Sequence, residues 1–342
     1  MTTPTDNEIR TRPCPECYLC GTKGELLYPG LRDRLFGAPG TWDVKRCPGP
    51  DCGLVWLDPM PIEEHIGKAY QDYYTHESGD KPCQHTISPK SYRSILGAAR
   101  EMFLKVKTAR WDSNRLALMG LDKERPGKLL EVGCGNGRLL ALLGTLGWHV
   151  EGQEVDHQAA ALAQVAYGVK VHIGPLSALQ FPSFDAIILN HVIEHVHDPI
   201  AILSECFRLL KPEGLLVVTT PNTASEGHRR FRSYWRGLEP PRHLHLFCCE
   251  ALRRVAQKAG FNCCDVRTIA LSARFMAVAS LNIRSPERKG AAIKMGRHIA
   301  AMFFHLWATS LHHWRKDSGE ECLLRATISR AGSEVFHRSS SC

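Results

Sequence analysis

Residues 128–138 read KLLEVGCGNGR, an apolar run that turns through three glycines into a helical pattern. The apolar residues 129–132 are a predicted strand. Glycines at 133, 135 and 137 allow a ligand to approach the backbone closely, because they carry no side chain. The segment therefore predicts a strand, a ligand-binding loop and a helix in direct succession.

The alternation of apolar strands and helices continues to about residue 225. Apolar strands separated by helices are typical of a parallel sheet covered on both faces. With a sixth strand near Val266 and a last strand starting at Cys322, the sequence predicts an α/β fold: a Rossmann-like, doubly wound, mostly parallel seven-stranded sheet. Ligands of such a sheet bind beyond the carboxyl ends of its strands. The first five predicted strands are residues 129–132, 150–155, 169–173, 185–189 and 215–220.

The glycine spacing argues against a dinucleotide cofactor. A diphosphate site needs G-x-G-x-x-G, whereas here the third glycine comes one position early and Arg138 stands in its expected place. Glu131, just before the glycines, suits by its charge a ligand with an ammonium group and a sulfonium. Glu154 ends the second strand, where a carboxylate can accept both hydroxyls of a ribose. Asp156 is the alternative, but its position favours capping of the next helix.

Four motifs in succession carry a family resemblance: LLEVGCGNG, VEGQEVD, FDAIILNHVIEHVHDP and LKPEGLLVVTTPN. Over roughly residues 120–270 they resemble the class I S-adenosylmethionine (SAM) dependent methyltransferases of the small-molecule type. The resemblance extends to enzymes of polysaccharide and natural-product pathways and to quinone methyltransferases. It implies SAM as the cofactor.

The resemblance also assigns a cofactor role to each loop. The glycine loop would line the methionine part of SAM, and Glu154 would bind its ribose. Asn190 and His191 would lie beside the transferring methyl group. Because the loop after the third strand lacks the acidic residue that many members use for adenine, backbone groups near Leu176 would contact the base. The predicted cofactor contacts are Glu131, Gly133, Gly135, Gly137, Glu154, Leu176 and Asn190.

Residues 191–195 read HVIEH, which matches the H-x-x-E-H pattern of a metalloprotease class. A zinc protease needs both histidines on one face of a helix, whereas this segment directly follows a predicted strand. The resemblance instead places Glu194 and His195 towards the substrate. A third interpretation is a bound divalent cation, because some similar quinone O-methyltransferases hold one in an acidic and histidine cluster at this place.

A long loop with aromatic residues follows the fifth predicted strand, and a loop of this length is typically functional. It resembles the substrate-side segment of natural-product methyltransferases, and we predict substrate contacts from Tyr234, Trp235 and Arg242. A packed lid that excludes water is an equal alternative. His195 and His243 are the candidate general bases, because imidazole changes its charge near neutral pH. The candidate catalytic residues are His191, Glu194, His195 and His243.

Two closely spaced cysteine pairs near the N-terminus are each followed by a glycine. Two such knuckles can close a tetrahedral Zn(Cys)4 site, which stabilises a segment that lacks an apolar core. Cys14 is a competing ligand by its spacing, but Gly21 favours the later pair because a knuckle needs a tight turn. We predict a zinc-ribbon-like module over residues 1–60 with a structural zinc, and cysteines without metal are the alternative. The predicted ligands are Cys17, Cys20, Cys47 and Cys52.

Two further segments complete the predicted domain plan. Residues 61–121, including a helical stretch at 91–121, form a bridge to the methyltransferase domain at 122–342. A helical insertion at about 272–318 separates the last two strands. Its basic stretch leads into apolar residues 299–307, which we expect to pack on the domain because short apolar stripes are ordinarily core. Contact with a membrane surface or with a phosphorylated substrate is the alternative.

The net charge of +8 is compatible with an anionic membrane, a phosphate-bearing substrate or a nucleic acid, so it selects no partner. We expect no nucleic-acid partner, because the segment between the cysteine knuckles lacks interleaved aromatic and basic residues. The N-terminus lacks the apolar core of a secretory signal, and no apolar run approaches the roughly 20 residues that span a bilayer. We therefore expect a cytoplasmic protein with reduced thiols.

These features predict an enzyme that moves a methyl group from SAM to an O, N or C atom of a small natural-product, quinone or sugar-like acceptor, with or without a phosphate. Transfer from a sulfonium is an in-line displacement. One alternative is a non-catalytic SAM fold whose zinc module binds a partner, which the intact glycines and Glu154 oppose. The other is a nucleic-acid methyltransferase, but the Asn or Asp-Pro-Pro-aromatic motif of that class is absent at 190–193, which read NHVI.

Overall fold

The computed structural model describes residues 8–70, 119–179, 184–287 and 290–328. These residues form a seven-stranded central sheet, a four-stranded sheet and a two-stranded ribbon. The predicted helical bridge at 91–121 lies outside the described residues, apart from its last three positions. None of the described helices is both long enough and apolar enough to cross a membrane.

The N-terminal part is built from short strands and one helical turn. Its elements are β1 (Thr11–Arg12), β2 (Glu25–Leu31), β3 (Trp42–Arg46), β4 (Val55–Leu57), β5 (Met60–Pro61) and α1 (Glu63–Ile66). Strands β2, β3 and β4 form an antiparallel meander, and β1 pairs with β5. Trp42 and Trp56 are buried in this meander, so the segment has an apolar core in addition to its cysteines.

The central domain alternates strands and helices, as the sequence predicts. Its elements are β6 (Lys128–Val132), α2 (Arg138–Thr145), β7 (His149–Glu154), α3 (His157–Tyr167), β8 (Lys170–Ile173), β9 (Phe184–Asn190), α4 (Pro199–Leu209), β10 (Leu210–Pro221), α5 (Glu226–Phe231), β11 (His245–Leu246), α6 (Cys249–Lys258), β12 (Cys263–Ile269), α7 (Ala273–Arg284), α8 (Ala291–Trp314) and β13 (Glu321–Thr327).

The strand order of the central sheet is β12-β13-β10-β9-β6-β7-β8. Strands β6 to β10 are parallel to one another, and β13 lies antiparallel between β10 and β12. The chain order reverses between β6 and β9, which is the switch point where a doubly wound sheet opens a crevice for its ligand. The predicted seven-stranded, mostly parallel fold is confirmed.

Alternate residues of the parallel strands bury against opposite layers of the domain. Leu130 of β6 joins one apolar cluster, and its neighbour Leu129 joins the other. The same alternation relates Ile187 and Ile188 of β9. Because both faces are covered, these strands read as continuous apolar runs rather than as alternating ones.

The N-terminal part is joined to the central domain by a shared sheet. Strand β11 belongs to the loop after β10 and pairs antiparallel with β4, with His245 opposite Trp56 and Leu246 opposite Val55. A single apolar cluster extends from the N-terminal strands to the central sheet. The predicted 1–60 module is therefore completed by a strand about two hundred residues later in the chain.

The insertion before the last strand is helical, as predicted, and consists of α7 and α8. The expectation that apolar residues 299–307 pack on the domain holds for Ala301 and Phe304 and is wrong for the larger side chains of the opposite face. In α8 only Ala301 and Ala308 are buried, while large side chains such as Phe303 and Trp307 face outward. Both buried residues are alanines, so α8 approaches the domain along a face of small side chains.

Candidate active site

A cavity of about 1290 Å³ lies at the carboxyl ends of β6, β7, β9 and β10. Its walls come from the glycine loop, the turn after β7, the segment after β9, the loop before β11 and the N-terminal part. This location agrees with the ligand crevice expected at the switch point of the sheet. The predicted site residues that line it are Gly133, Glu154, Asn190, His191, Glu194, His195 and His243.

The glycine loop after β6 needs glycine for its backbone conformation. Gly133 and Gly135 have φ angles of +64° and +51°, in the left-handed region that favours glycine. A Cβ atom at Gly133 would lie only 2.7 Å from Cγ2 of Val192. Gly135 lies in open space instead, and its amide donates to Oε2 of Glu154 at 2.8 Å. The loop thus closes around the carboxylate at the end of β7.

Backbone amides hold the Glu154 carboxylate in one orientation. Its Oε1 accepts from the amides of Val155 at 2.8 Å and Asp156 at 3.0 Å. The remaining lone pairs of the carboxylate can accept from two hydroxyl groups. Asp156 caps α3 by accepting from the amides of Gln158 and Ala159, so the predicted capping role of this residue is confirmed.

Gln153 links two of the loops at this end of the sheet and has no signal in the sequence. Its Oε1 accepts from the Gly133 amide at 3.3 Å, and its Nε2 donates to the Gly174 carbonyl at 2.6 Å.

Leu176, predicted beside adenine, is buried in a 3-10 turn (Leu176–Ala178) and is not among the described residues that line the cavity. Gln153 and the residues of the turn after β7 do line the cavity.

An ion pair between the partly exposed His191 and the buried Glu194 lies on the opposite side of the cavity. Oε1 of Glu194 lies 3.1 Å from Nδ1 of His191, and Oε2 of Glu194 accepts from the Thr220 hydroxyl at 2.9 Å. Burial opposes the charged form of His191, but its bonds to Glu194 and Glu321 outweigh burial and raise its pKa to about 9. Burial alone would raise the pKa of Glu194, yet His191 lowers it to about 2. His191 is therefore protonated and Glu194 ionised at neutral pH.

Two further histidines meet beside this pair, with ring centroids 4.6 Å apart. Nδ1 of His195 lies 3.1 Å from the Arg242 carbonyl and 2.9 Å from the Tyr70 hydroxyl. Nδ1 of His243 lies 2.7 Å from the Gly237 carbonyl. Because a carbonyl oxygen only accepts, each Nδ1 carries a hydrogen and each Nε2 keeps a lone pair.

Burial keeps both of these imidazoles neutral. It lowers the pKa of His195, and it lowers the pKa of His243 to about 4 although the nearby Glu239 acts in the opposite direction. Ligand atoms of Glu194, His195 and His243 all lie within 4.8 Å of one another. A carboxylate and two neutral imidazoles in this arrangement can accept a proton or ligate a divalent cation.

The metalloprotease interpretation of residues 191–195 is excluded by the local structure. His191 ends the strand segment with a φ of +56°, and Ile193–His195 form a single 3-10 turn. His191 and His195 therefore do not share a helix face, which a zinc protease requires.

Comparison with known proteins agrees with this geometry. A family model described as a methyltransferase domain matches residues 100–266. The chain contains a class I SAM-dependent methyltransferase domain. A ubiquinone biosynthesis O-methyltransferase of Xanthomonas oryzae is 38% identical over 104 residues, which cover 28% of this chain and 43% of that protein. Its counterpart in Xylella fastidiosa is 37% identical over 119 residues, covering 32% and 46%. The chain thus spans less than half the length of these curated relatives.

Two solved structures show more distant likeness. A phosphoethanolamine N-methyltransferase 2 of Haemonchus contortus, in complex with SAM, has a TM-score of 0.44 and 19% identity, covering 64% of this chain and 53% of that chain. A SAM-dependent methyltransferase of Archaeoglobus fulgidus has a TM-score of 0.44 and 15% identity, covering 68% and 100%.

The structure places the three predicted substrate contacts outside the described lining of this cavity. Arg242 is fully buried in ion pairs with Asp33 and Glu239 and lies outside the cavity wall. Trp235 is buried and stacks on His228. Tyr234 lines a separate cleft of about 320 Å³. Arg236, from the same loop, does line the cavity.

Three further predicted cofactor residues are not among the described residues that line the cavity. Glu131 is buried within β6. Gly135 and Gly137 are absent from the described lining, although both have the positive φ angles that shape the loop. They act on the site through the loop conformation.

Several residues that line the cavity had no signal in the sequence. Glu321 shows why: β13 runs antiparallel to β10, so its first residue lies opposite Pro221, where β10 ends at the cavity. Only the strand pairing reveals that position. The unpredicted lining residues include Tyr70, Gln153, Arg236, Glu239, Phe275 and Glu321.

The four predicted zinc ligands converge at the N-terminal end of the chain. Their sulfur atoms all lie within 4.8 Å of one another, with Cys17 to Cys52 at 3.6 Å and Cys20 to Cys47 at 3.4 Å. Tetrahedral Zn–S bonds of about 2.3 Å place sulfurs about 3.8 Å apart. Cys14 is not part of the group. The cluster fits the predicted structural zinc.

Proposed function

We propose that the chain transfers a methyl group from SAM to an O, N or C atom of a small-molecule acceptor by in-line displacement. The observation that carries the proposal is one cavity that joins the glycine loop and Glu154 to the buried histidines. Its volume of about 1290 Å³ exceeds the roughly 300–1,000 Å³ of a pocket for one ligand. The space suits a cofactor and an acceptor side by side.

The donor side is the end of the cavity near β6 and β7. Glu154 would accept hydrogen bonds from the two ribose hydroxyls, since its carboxylate already faces the cavity in a fixed orientation. The backbone of the Gly133 loop would lie along the methionine part. The charge of Glu154 and of the buried Glu131 favours a cationic donor over an anionic one.

The acceptor side is the end of the cavity near His195 and His243. His243 is the better candidate base, because its Nδ1 is held by the Gly237 carbonyl and its Nε2 lies 3.5 Å from Glu239. That carboxylate stabilises the imidazolium after His243 accepts a proton from the acceptor. His191 is already protonated at neutral pH, so its part would be to hold Glu194 in place.

Calorimetry with SAM tests the donor side. Gly135→Arg should abolish SAM binding, because an arginine side chain would enter the loop at a positive φ angle. The matched control is Gly168→Arg, which replaces another glycine of positive φ in open space at the end of α3. Unchanged affinity in Gly135→Arg, or equal losses in both variants, would contradict the proposed donor site.

A screen for SAM consumption tests the acceptor side. Phenols, quinones, nucleotide sugars and phosphorylated lipids should be compared by release of S-adenosylhomocysteine. Consumption that depends on one acceptor class and disappears in Gly135→Arg supports the proposal. Intact SAM binding with no turnover on any class would favour the non-catalytic alternative.

A divalent cation at Glu194, His195 and His243 is a second candidate feature, and the proximity of their ligand atoms favours it. When bound, such a cation would polarise an acceptor oxygen and lower its pKa. Titration of the full chain with Mn²⁺ or Zn²⁺ tests this site. We expect the wild type to bind one metal ion more than the cysteine cluster accounts for, and His243→Ala to lose that ion. The same number of bound ions in the wild type and in His243→Ala would rule out the cation at this site.

A further inference from the structure

The face of helix α8 that points away from the domain is apolar. Its inward face carries Ala301 and Ala308, which are buried, and Phe304, which packs on Phe231. Large apolar side chains recur at helical spacing on the opposite side. Their exposed fractions are Met295 62%, Ile299 50%, Met302 41%, Phe303 68% and Leu306 57%. The other positions of this outward face, 292, 296, 310 and 313, are Ala, Gly, Ser and His, so the face carries no Lys, Arg, Asp or Glu.

The segment that contains this face is strongly positive. Residues 270–316 contain eight Lys and Arg residues against one acid, Glu287, and so carry seven of the eight net positive charges of the chain. Helices α7 and α8 contain no Asp or Glu. Arg284, Lys294 and Lys316 are exposed near the two ends of α8. An apolar face on a helix whose Lys and Arg residues lie on its other side and near its ends is typical of helices that lie at a membrane surface.

We infer that α8 docks the protein on the surface of an anionic lipid bilayer, with the helix axis in the plane of the membrane. The helix has 24 residues and extends about 36 Å, and it is not apolar enough to cross the bilayer. Trp307 and Trp314 are also exposed, and tryptophan favours the interface between lipid tails and headgroups.

The charge distribution favours a lipid surface over a second copy of the chain. A dimer formed through this face would bring two stretches of charge +7 together, and like charges across an interface oppose association. Anionic headgroups instead complement the same charges and attract basic residues within a Debye length. The docked helix also packs against α7, whose exposed Phe275 lines the cavity. Docking does not depend on the proposed transfer reaction.

Co-sedimentation of the full chain with vesicles tests the inference. Phosphatidylcholine vesicles with phosphatidylglycerol should bind the protein, binding should fall as salt is raised, and vesicles of phosphatidylcholine alone should bind much less. The double variant Phe303→Glu/Leu306→Glu should bind at least about tenfold more weakly, because it places two negative charges on the apolar face. Val165→Glu is the matched control: Val165 is 87% exposed on α3, and its replacement should leave binding unchanged.

Three outcomes would overturn the inference. One is a wild-type chain that does not bind the anionic vesicles, or a double variant that binds as well as the wild type. Another is a dimer in size-exclusion chromatography that the double variant dissociates, which would make the face an interface between copies. The third is a loss of thermal stability in the double variant without a change in vesicle binding, which would mean that another part of the chain covers α8. SAM affinity, measured on the same variants, reports separately on the methyltransferase site and should not change.

Discussion

Replacing Arg242 by Met should break the buried ion pairs that hold the N-terminal part of the protein against the loop that carries His243, and should thereby lower stability. One guanidinium nitrogen of Arg242 donates to Oδ2 of Asp33 and to the Ala69 carbonyl, both at 2.9 Å, and Nε donates to Glu239 at 2.9 Å. The side chains of Arg242, Asp33 and Glu239 are at most 1% exposed. This buried network connects the N-terminal strands to the loop that carries His243.

The expected loss in the free energy of unfolding is about 3–5 kcal/mol, because removal of one partner leaves a buried charge without compensation. Glu239 keeps its ion pair with Arg236, so the uncompensated charge is mainly that of Asp33. Among the described residues, Asp33 would retain the backbone amides of Leu35, Phe36 and Ala38 as hydrogen-bond donors. In the double variant Asp33→Asn/Arg242→Met both charges are gone, so its loss should be smaller than the sum of the single losses.

Urea unfolding of the three variants and the wild type measures these losses. Arg253→Met is the control, because Arg253 pairs with Glu250 on the surface and should cost less than about 1 kcal/mol. Burial would raise the pKa of Asp33, but Arg242 outweighs burial and holds the pKa below its usual value. The stability from Asp33 is therefore present at neutral pH and lost as the pH falls through the folded pKa, and Arg242→Met should weaken this acid dependence. A loss below about 1 kcal/mol, or strictly additive losses, would refute the reasoning.

Three further variants test other parts of the molecule. His243→Asn should lower turnover by about 10²–10⁴-fold while SAM affinity in calorimetry stays constant, and parallel losses in both would indicate a structural role instead. Cys47→Ser should lose bound zinc in metal analysis by mass spectrometry and unfold at lower temperature; a full zinc equivalent would rule out the cysteine site. The bonds of His191 to Glu194 and Glu321 raise its pKa to about 9. The stability that this protonated histidine contributes is therefore complete below about pH 6.5 and is lost as the pH rises through 9. The unfolding free energy of the wild type should fall over that range, and His191→Gln should reduce the fall; identical pH profiles would contradict the ion pair.

The central sheet was readable from the sequence because its information is local. The strand that ends in Glu131 and the glycine loop that follows it specify strand, turn and helix within eleven residues. The four clustered cysteines could be predicted for the same reason, since each knuckle requires only two cysteines and a glycine at short spacing. In both cases the conformational requirement and the chemical group lie in one short segment.

The predicted site was less complete where residues meet across the fold. Tyr70 reaches His195, 125 positions away, and no pattern around Tyr70 marks it as a site residue. Arg242 and Arg236 are both arginines of one loop, but only the packing shows that the first is buried against Asp33 and the second lines the cavity. The apolar residues of α8 read as core, and their exposure depends on which face of the helix meets the domain.

The sequence by itself determined the strand pattern, the glycine loop after β6, the place of Glu154 at the end of β7 and the cysteine knuckles, because steric and coordination requirements within a few residues are sufficient for each. Tertiary structure alone decided which side chains form the acceptor end of the cavity, because their orientation depends on pairings between distant segments. Asp33 and Arg242, 209 positions apart, are the clearest case: neither charge has a stable buried place until β11 pairs with β4 and brings the two segments together.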